Sequence, residues 1–581
     1  MFQYLKNIFT LLGENRRRLP YLFILFLALS FLDLAGIGLI GPYVTLVIQE
    51  NAMNGSIGEI VKILGLPNER NMLLILLGAI LFAIFLLKAI IGVFINYTII
   101  RFCQNLMAEL RVFLLSSYQQ LPYINFIHRN SSEYVYNIQH LTDVFSGGVV
   151  MSVLRMLSEG LVVIVILIFL AWTNLYAFLL LTVLVGSVMF CYDKFFRIKL
   201  QLYGNKSNNA ATKMLEGVNE SIDGFKETRI LGKENYFLKK VKQEANEYAK
   251  QTINAAAIST VPRYMLEVMM IGFVVLMVIG GLLYGNSLNT LLPTLAVFAV
   301  AAIRLLPSSN LLSTSFAQLR FNRDAVLRLY QDVEEMSQSQ SKKIISSEKS
   351  KNHFQSIKLE NVSYLYPGLN IKSLNNISLE ITAGESIGII GPSGSGKTTL
   401  VDILLGLIEP QEGKCFYNQS LLSSSLEKWR SQIAYLPQQI FLIDASLKNN
   451  VALGVKEEEI DQARIDKSIR QARLQELVEQ MPHGVNSVLG ERGVRLSGGQ
   501  RQRVAIARAF YHRRKVLVMD ESTSSLDNET EREIVNEISQ LKGKITLIVI
   551  AHRLSTLGHC DRIYRIEKGV ITDSGAPEKF L

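Results

Sequence analysis

At 581 residues the chain is too long for one hydrophobic core, so two or three domains are expected. Apolar residues make up 49% of it and its mean hydropathy is positive, which argues against a wholly soluble protein. A net charge of +10 fits either nucleic acid or a membrane surface, and the placement of the charges decides between them. Cys103, Cys191, Cys415 and Cys560 lie far apart with no C-x-x-C spacing, so neither a disulfide framework nor a zinc site is suggested.

Residues 1–18 form an amphipathic basic stretch ending in Arg16, Arg17 and Arg18. Residues 19–48 are mostly apolar, too long a run for a signal-peptide core and long enough to span a bilayer. Further runs at 72–100, 149–172, 175–192, 261–284 and 291–312 give six spans, with both chain ends on one side. The connection between spans four and five carries twelve lysines and arginines, from Lys194 to Lys250, whereas the first carries only Lys62 and Arg70. Basic loops stay in the cytosol, so the N-terminus and everything after span six are expected there. Membrane topology thus accounts for much of the basic charge, and nucleic acid is not an expected partner.

The cytosolic connections, 101–148 and 193–260, are long and rich in helix formers, with Met107, Leu110 and Leu114 at helical spacing. They predict spans that continue as helices below the bilayer and turn back through segments near 120–130 and 219–231. In the first external loop, residues 58–66 are too short to span and read as a helix lying at the outer interface.

Ionisable residues within spans are costly and face a cavity or a partner. Arg155 and Glu159, like Arg263 and Glu267, are four apart and can neutralise each other along a helix. Lys88 and Arg304 have no acid at such spacing; Lys88 can also snorkel to the cytosolic interface. Together Lys88, Arg263 and Arg304 suggest a cationic cavity wall that receives an anionic group such as a phosphate or pyrophosphate.

A polar stretch at 331–355 reads as a linker, and a soluble α/β domain is expected over 356–581. That leaves residues 1–330 as the membrane domain. Residues 357–365 alternate like an antiparallel strand, followed by Tyr366, an aromatic suited to stacking on a purine. An apolar strand then leads into Gly391-Pro392-Ser393-Gly394-Ser395-Gly396-Lys397-Thr398-Thr399 and an apolar helix. Strand, glycine-rich turn and helix in this order make a phosphate cradle: backbone N–H groups converge at a helix N-terminus, where the dipole also favours anions. Lys397 adds charge for β- and γ-phosphates, and the Thr398 hydroxyl suits Mg2+.

Downstream, Gln438 follows another apolar strand, and Ser497, Gly498, Gly499 and Gln500 open a helix. The second turn is a second anion-binding helix start. One nucleotide does not need two, but a second copy of the domain would. The strand at 515–519 ends in Asp520 and Glu521, whose side chains point to opposite faces. Asp520 is therefore placed to support Mg2+ and Glu521 to polarise an attacking water. His552 ends a further apolar strand, in reach of the γ-phosphate or that water.

In this order Tyr366, the 391–398 loop, Gln438, the Leu-Ser-Gly-Gly-Gln turn, the Asp520–Glu521 pair, Ser524-Ser525-Leu526-Asp527 and His552 resemble an ABC ATPase. With six spans ahead of it, the whole chain resembles a bacterial half-transporter of the exporter type. The resemblance implies a homodimer in the bacterial inner membrane, with ATP and Mg2+ held between one copy's Lys397 loop and the other's Ser497 turn. It also implies Gln438 at the metal and water, Asp527 at the nucleotide, Glu521 as the catalytic carboxylate, and coupling helices near 121–128 and 221–231. The stretches around Arg263 and Arg304 are similar to lipid-linked oligosaccharide flippases, which implies a polyprenyl-pyrophosphate glycan as the substrate. The alternatives are a multidrug or peptide exporter and, in another class, an ATP-gated channel or regulatory subunit.

Overall fold

The computed structural model describes residues 2–48, 69–283, 288–340, 354–520, 542–550 and 557–580. It divides into two compact units: residues 1–121 with 126–345, and residues 122–125 with 346–581.

In the first unit, among the described residues, six helices are long and apolar enough to cross a membrane. Leu19–Ile48 is the first, and Arg70–Gln119 runs 50 residues without a break. The third starts at Ser131, passes through two π-helical segments and ends at Thr173. Leu175–Asp223 and Glu234–Leu283 are 49 and 50 residues long, and Leu288–Phe321 is the sixth. At 1.5 Å per residue, a 50-residue helix is about 75 Å long, far more than the roughly 30 Å of hydrocarbon. The spans therefore do continue well past the bilayer. Short helices, Tyr123–Ile127 and Phe225–Leu231, turn the chain back; the second ends at Gly232, whose φ of 61° supplies the left-handed cap.

The amphipathic N-terminal stretch is a helix, Phe2–Leu11, that buries Tyr4, Ile8, Leu11 and Leu12. It packs beside the helix Arg323–Gln340, in a core that includes Val326, Leu329 and Met336. Residues 331–340, expected in the linker, are thus helical. The apolar stripe of residues 325, 326, 329 and 336 continues at helical spacing through a composition that looks polar overall. Within that helix Asp332 is buried and accepts three hydrogen bonds, from Tyr118 Oη at 2.7 Å, Asn137 Nδ2 at 2.6 Å and Arg129 Nη2 at 2.7 Å. Arg129 also donates to Glu133 at 3.0 Å. The external segment 58–66 lies outside the described residues.

The second unit is built on two sheets. One has order β2-β1-β4-β5, with β1 Ser356–Tyr364, β2 Leu374–Thr382, β4 Glu412–Tyr417 and β5 Ser420–Leu421, all antiparallel. The other has order β10-β9-β3-β8-β7-β6, with β3 Ser386–Ile390, β6 Ile433–Leu436, β7 Val516–Asp520, β8 Thr546–Ile550, β9 Arg562–Glu567 and β10 Val570–Gly575. From β9 to β6 every pairing is parallel. Alternate residues face different cores: Val516, Val518, Ile548 and Ile550 join the helix Lys397–Leu404, while Leu517, Met519, Leu547 and Val549 join the helix Gly498–Tyr511. The sheet stands between those two helices.

Candidate functional site

Because β3, β6, β7 and β8 are parallel, their C-terminal ends share one edge, the place where α/β sheets bind ligands. The glycine-rich loop leaves β3 there. Gly396 has φ 105°, and a Cβ on it would strike the carbonyl oxygen of Ser373; one on Gly391 would strike that of Ile566. These contacts press the loop into a tight cradle that side chains would break. Lys397 is buried, and its ammonium donates to the carbonyls of Gly391 at 2.9 Å and Pro392 at 3.0 Å. Ser395 is buried with its Oγ unpartnered, while Thr398 at the helix start is exposed. A buried ammonium, an orphan hydroxyl and a helix N-terminus gathered in one loop suit a bound phosphate.

Tyr366 is half-buried beside this loop, its ring edge-on to Tyr364 at 5.0 Å and its hydroxyl 3.4 Å from Thr399 Oγ1. Gln438 follows β6 on the surface. Asp520 ends β7 with the same facing as Val516 and Val518, toward the helix Lys397–Leu404. Across the β6–β7 pair, Tyr435 Oη donates to Asp520 Oδ2 at 3.1 Å, a partner that the reading of motifs did not single out. Asp402, on the phosphate-loop helix, is pushed up to about 6, by burial first and then by the charge of Asp520. Glu521, Asp527 and His552 lie outside the described residues.

Ser497 caps its helix reciprocally: its Oγ accepts from Gln500 N at 3.2 Å, and Gln500 Oε1 accepts from Ser497 N at 2.8 Å. Its helix packs on the face of the sheet opposite the Lys397 helix.

Within the membrane unit the structure alters one expectation. Lys88 and Arg304 do have an acid partner, Asp33 of the first span, which spacing along any one helix could not reveal. Arg304 grips it with Nε and Nη2, each at 3.1 Å, and Lys88 pairs with Oδ1, the oxygen that also accepts from Arg304 Nε. Glu159 is 3.3 Å from Arg304 and accepts from Ser308 Oγ at 2.6 Å, so it serves this network and not the Arg155 expected four residues away. Two cations and two carboxylates from four spans are thereby neutralised together, with the Asp33 side chain only 1% exposed. Arg263 is not in the network; it pairs with Glu267 at 3.1 Å on an exposed face. The wall of three free cations is therefore a pair of cations held by acids, plus a separate surface pair.

Comparison with known proteins adds to this geometry. A family model described as the ABC transporter transmembrane region matches residues 19–303, and one described as ABC transporter matches residues 374–524. The chain belongs to the ABC transporters. It has the half-transporter organisation of the family, one membrane region followed by one ATPase domain, and is a multi-pass membrane protein that binds ATP and couples its hydrolysis to transport. This transporter is 27% identical over 513 residues to the ATP-dependent lipid A-core flippase of Cupriavidus pinatubonensis, covering 87% of this chain and 85% of that one. To the flippase of the same name in Saccharophagus degradans it is 29% identical over 490 residues, 82% and 80% of the two chains. A bacterial Atm1-family ABC exporter with ATP bound shares the fold, with a TM-score of 0.76 and 21% identity over 98% of this chain and 96% of that one.

Proposed function

We propose that two copies of this ABC transporter form a homodimer in a bacterial inner membrane and flip an anionic glycolipid from the cytosolic to the outer leaflet. In this reading Lys397 and the loop around it hold the ATP phosphates, and Tyr366 meets the base. Asp520, Thr398 and Gln438 would hold Mg2+, which supplies charge neutralisation at the phosphates. Glu521 polarises the attacking water, His552 orients it, and Asp527 lies against the nucleotide. The Ser497 turn serves the partner's nucleotide; its helix packing across the sheet from its own chain's Lys397 helix supports that division. Residues 122–125, which group with the ATPase unit, belong to a coupling segment.

The observation that carries the substrate assignment is the pair of cations, Lys88 and Arg304, converging on one carboxylate inside the apolar spans. A phosphorylated headgroup can replace Asp33 and Glu159 on those cations, whereas a neutral drug cannot. The relatives are named for lipid A-core, and a polyprenyl-pyrophosphate oligosaccharide offers the same chemistry, phosphate beside glycan. The test is ATPase activity and leaflet movement in proteoliposomes holding either lipid or a neutral glycolipid. Stimulation and flipping by one phosphorylated lipid but not by the neutral one supports the reading and names the substrate. Equal responses to all three overturn it.

A further inference from the structure

The ATPase unit carries a second concavity that the nucleotide does not use. It has a volume of about 460 Å³ and is bordered by the helix Gln462–Gln471, the end of the helix Gly498–Tyr511 and the starts of β7 and β8. Lys515 directly precedes β7 and Ile545 directly precedes β8. This cavity therefore opens at the N-terminal edge of the parallel sheet. The Lys397 loop leaves the C-terminal edge, a five-residue strand or roughly 16 Å away.

Among the described residues, five of its lining side chains are basic, Arg464, Lys467, Arg513, Arg514 and Lys515, against one carboxylate, Asp461. Two are committed elsewhere in part. Arg464 is 3.5 Å from Asp461 with its guanidinium over the Tyr511 ring, and Arg514 donates to the carbonyl of Ser431. Lys467, Arg513 and Lys515 have no side-chain partner among the described residues. Solvated basic groups ordinarily spread apart to reduce repulsion. Here they share one hollow, where a low-dielectric wall focuses their field. Next to them His512 is held below the usual imidazole range, by burial first and then by the charges of Arg514 and Arg508.

We infer that this hollow is a binding site for a ligand with several linked phosphoryl groups, separate from the ATP site. Arginine forks and lysine point charges are the groups that recognise such oxygens. The volume exceeds one phosphate and falls in the usual range of small-ligand pockets, about 300–1,000 Å³. Phe510 and Ile545 give the hollow an apolar side, so the phosphates can belong to a free oligophosphate or to a nucleotide tail.

The test uses the purified full-length transporter with its phosphate loop saturated by a non-hydrolysable ATP analogue, titrated calorimetrically with inorganic tripolyphosphate. We expect saturable binding of one tripolyphosphate per chain, weakened by added salt. In Lys467→Glu/Arg513→Glu the affinity falls by about tenfold or more, and in Lys467→Gln/Arg513→Gln by less. The concentration of ATP giving half-maximal hydrolysis stays unchanged in both, which also reports that they fold. One analogue per chain before the titration assigns the hollow to a free oligophosphate; two per chain, one displaced by tripolyphosphate, assigns it to a nucleotide. Absence of saturable binding, or equal binding by both double variants and the native chain, overturns the proposal.

Discussion

Replacing Asp332 by alanine tests whether one carboxylate holds together the end of the membrane unit where the second and third helices meet. Its two oxygens satisfy Tyr118, Asn137 and Arg129, which stand at the end of the second span, the start of the third and the turn between them. The side chain is 3% exposed, so water cannot take over all three donors. Breaking one side of a buried ion pair costs about 3–5 kcal/mol. Arg129 is partly accessible and keeps Glu133, which favours the low end; Tyr118 and Asn137 each lose a bond, which pushes upward. These terms share one carboxylate and do not add, so about 3–4 kcal/mol is expected. Burial alone would lower the proton affinity of Arg129, but its hydrogen bonds to Glu133 and Asp332 and their charges outweigh this and raise it. In a unit of this size that loss lowers the melting temperature by on the order of 5 °C. Melting of the detergent-solubilised protein measures it, and a double-mutant cycle with Arg129→Ala isolates the pair. Melting of Asp332→Ala within about 1 °C of the native chain would refute the reasoning.

Asp402 gives a pH-dependent outcome. Its folded-state pKa is raised to about 6 from 3.8, so the folded nucleotide-free domain keeps a proton that the unfolded chain releases. Between those values the folded state binds more protons, so this group's contribution to stability falls as pH rises and is fully lost above about 6. Asp402→Asn should therefore melt higher than the native chain at pH 7.5 and show no gain near pH 4, and an equal difference at both pH values contradicts the assignment. Asp33→Asn removes the acid that holds Lys88 and Arg304. It should make the phosphorylated lipid stimulate ATPase at a lower concentration, and an unchanged or higher half-maximal concentration argues against exchange of one anion for another. Tyr435→Phe deletes the hydrogen bond to Asp520. It should change the Mg2+ concentration needed for half-maximal hydrolysis by about five- to twelvefold, a bond to a charged group being worth about 1–1.5 kcal/mol at this half-exposed position; an unchanged Mg2+ dependence shows the bond to be idle.

The parts legible in the sequence were those written in consecutive residues. Apolar runs located the six spans, and helix formers beyond them announced the long extensions that Arg70–Gln119 and Glu234–Leu283 display. The strand–loop–helix order around Lys397 was readable because strand, glycines, Lys397 and helix follow one another without a gap. What escaped depends on contacts between distant segments. Asp33 sits 271 positions before Arg304, and nothing in its local pattern marks it as a counter-ion. Tyr435 reaches Asp520 only because β6 and β7 pair in parallel with a fixed register. The helix through 331–340 was hidden for another reason: three acids and several glutamines and serines mask a stripe whose spacing, not whose composition, is helical.

The unbroken helices of about 50 residues have a mechanical consequence. Some 45 Å of each, the excess over the hydrocarbon thickness, works as a stiff oar outside the lipid. Swinging such an oar by 10° sweeps its tip through roughly 8 Å, so a displacement of about that size at the tip is enough to reorient the helix in the bilayer without unwinding any of it.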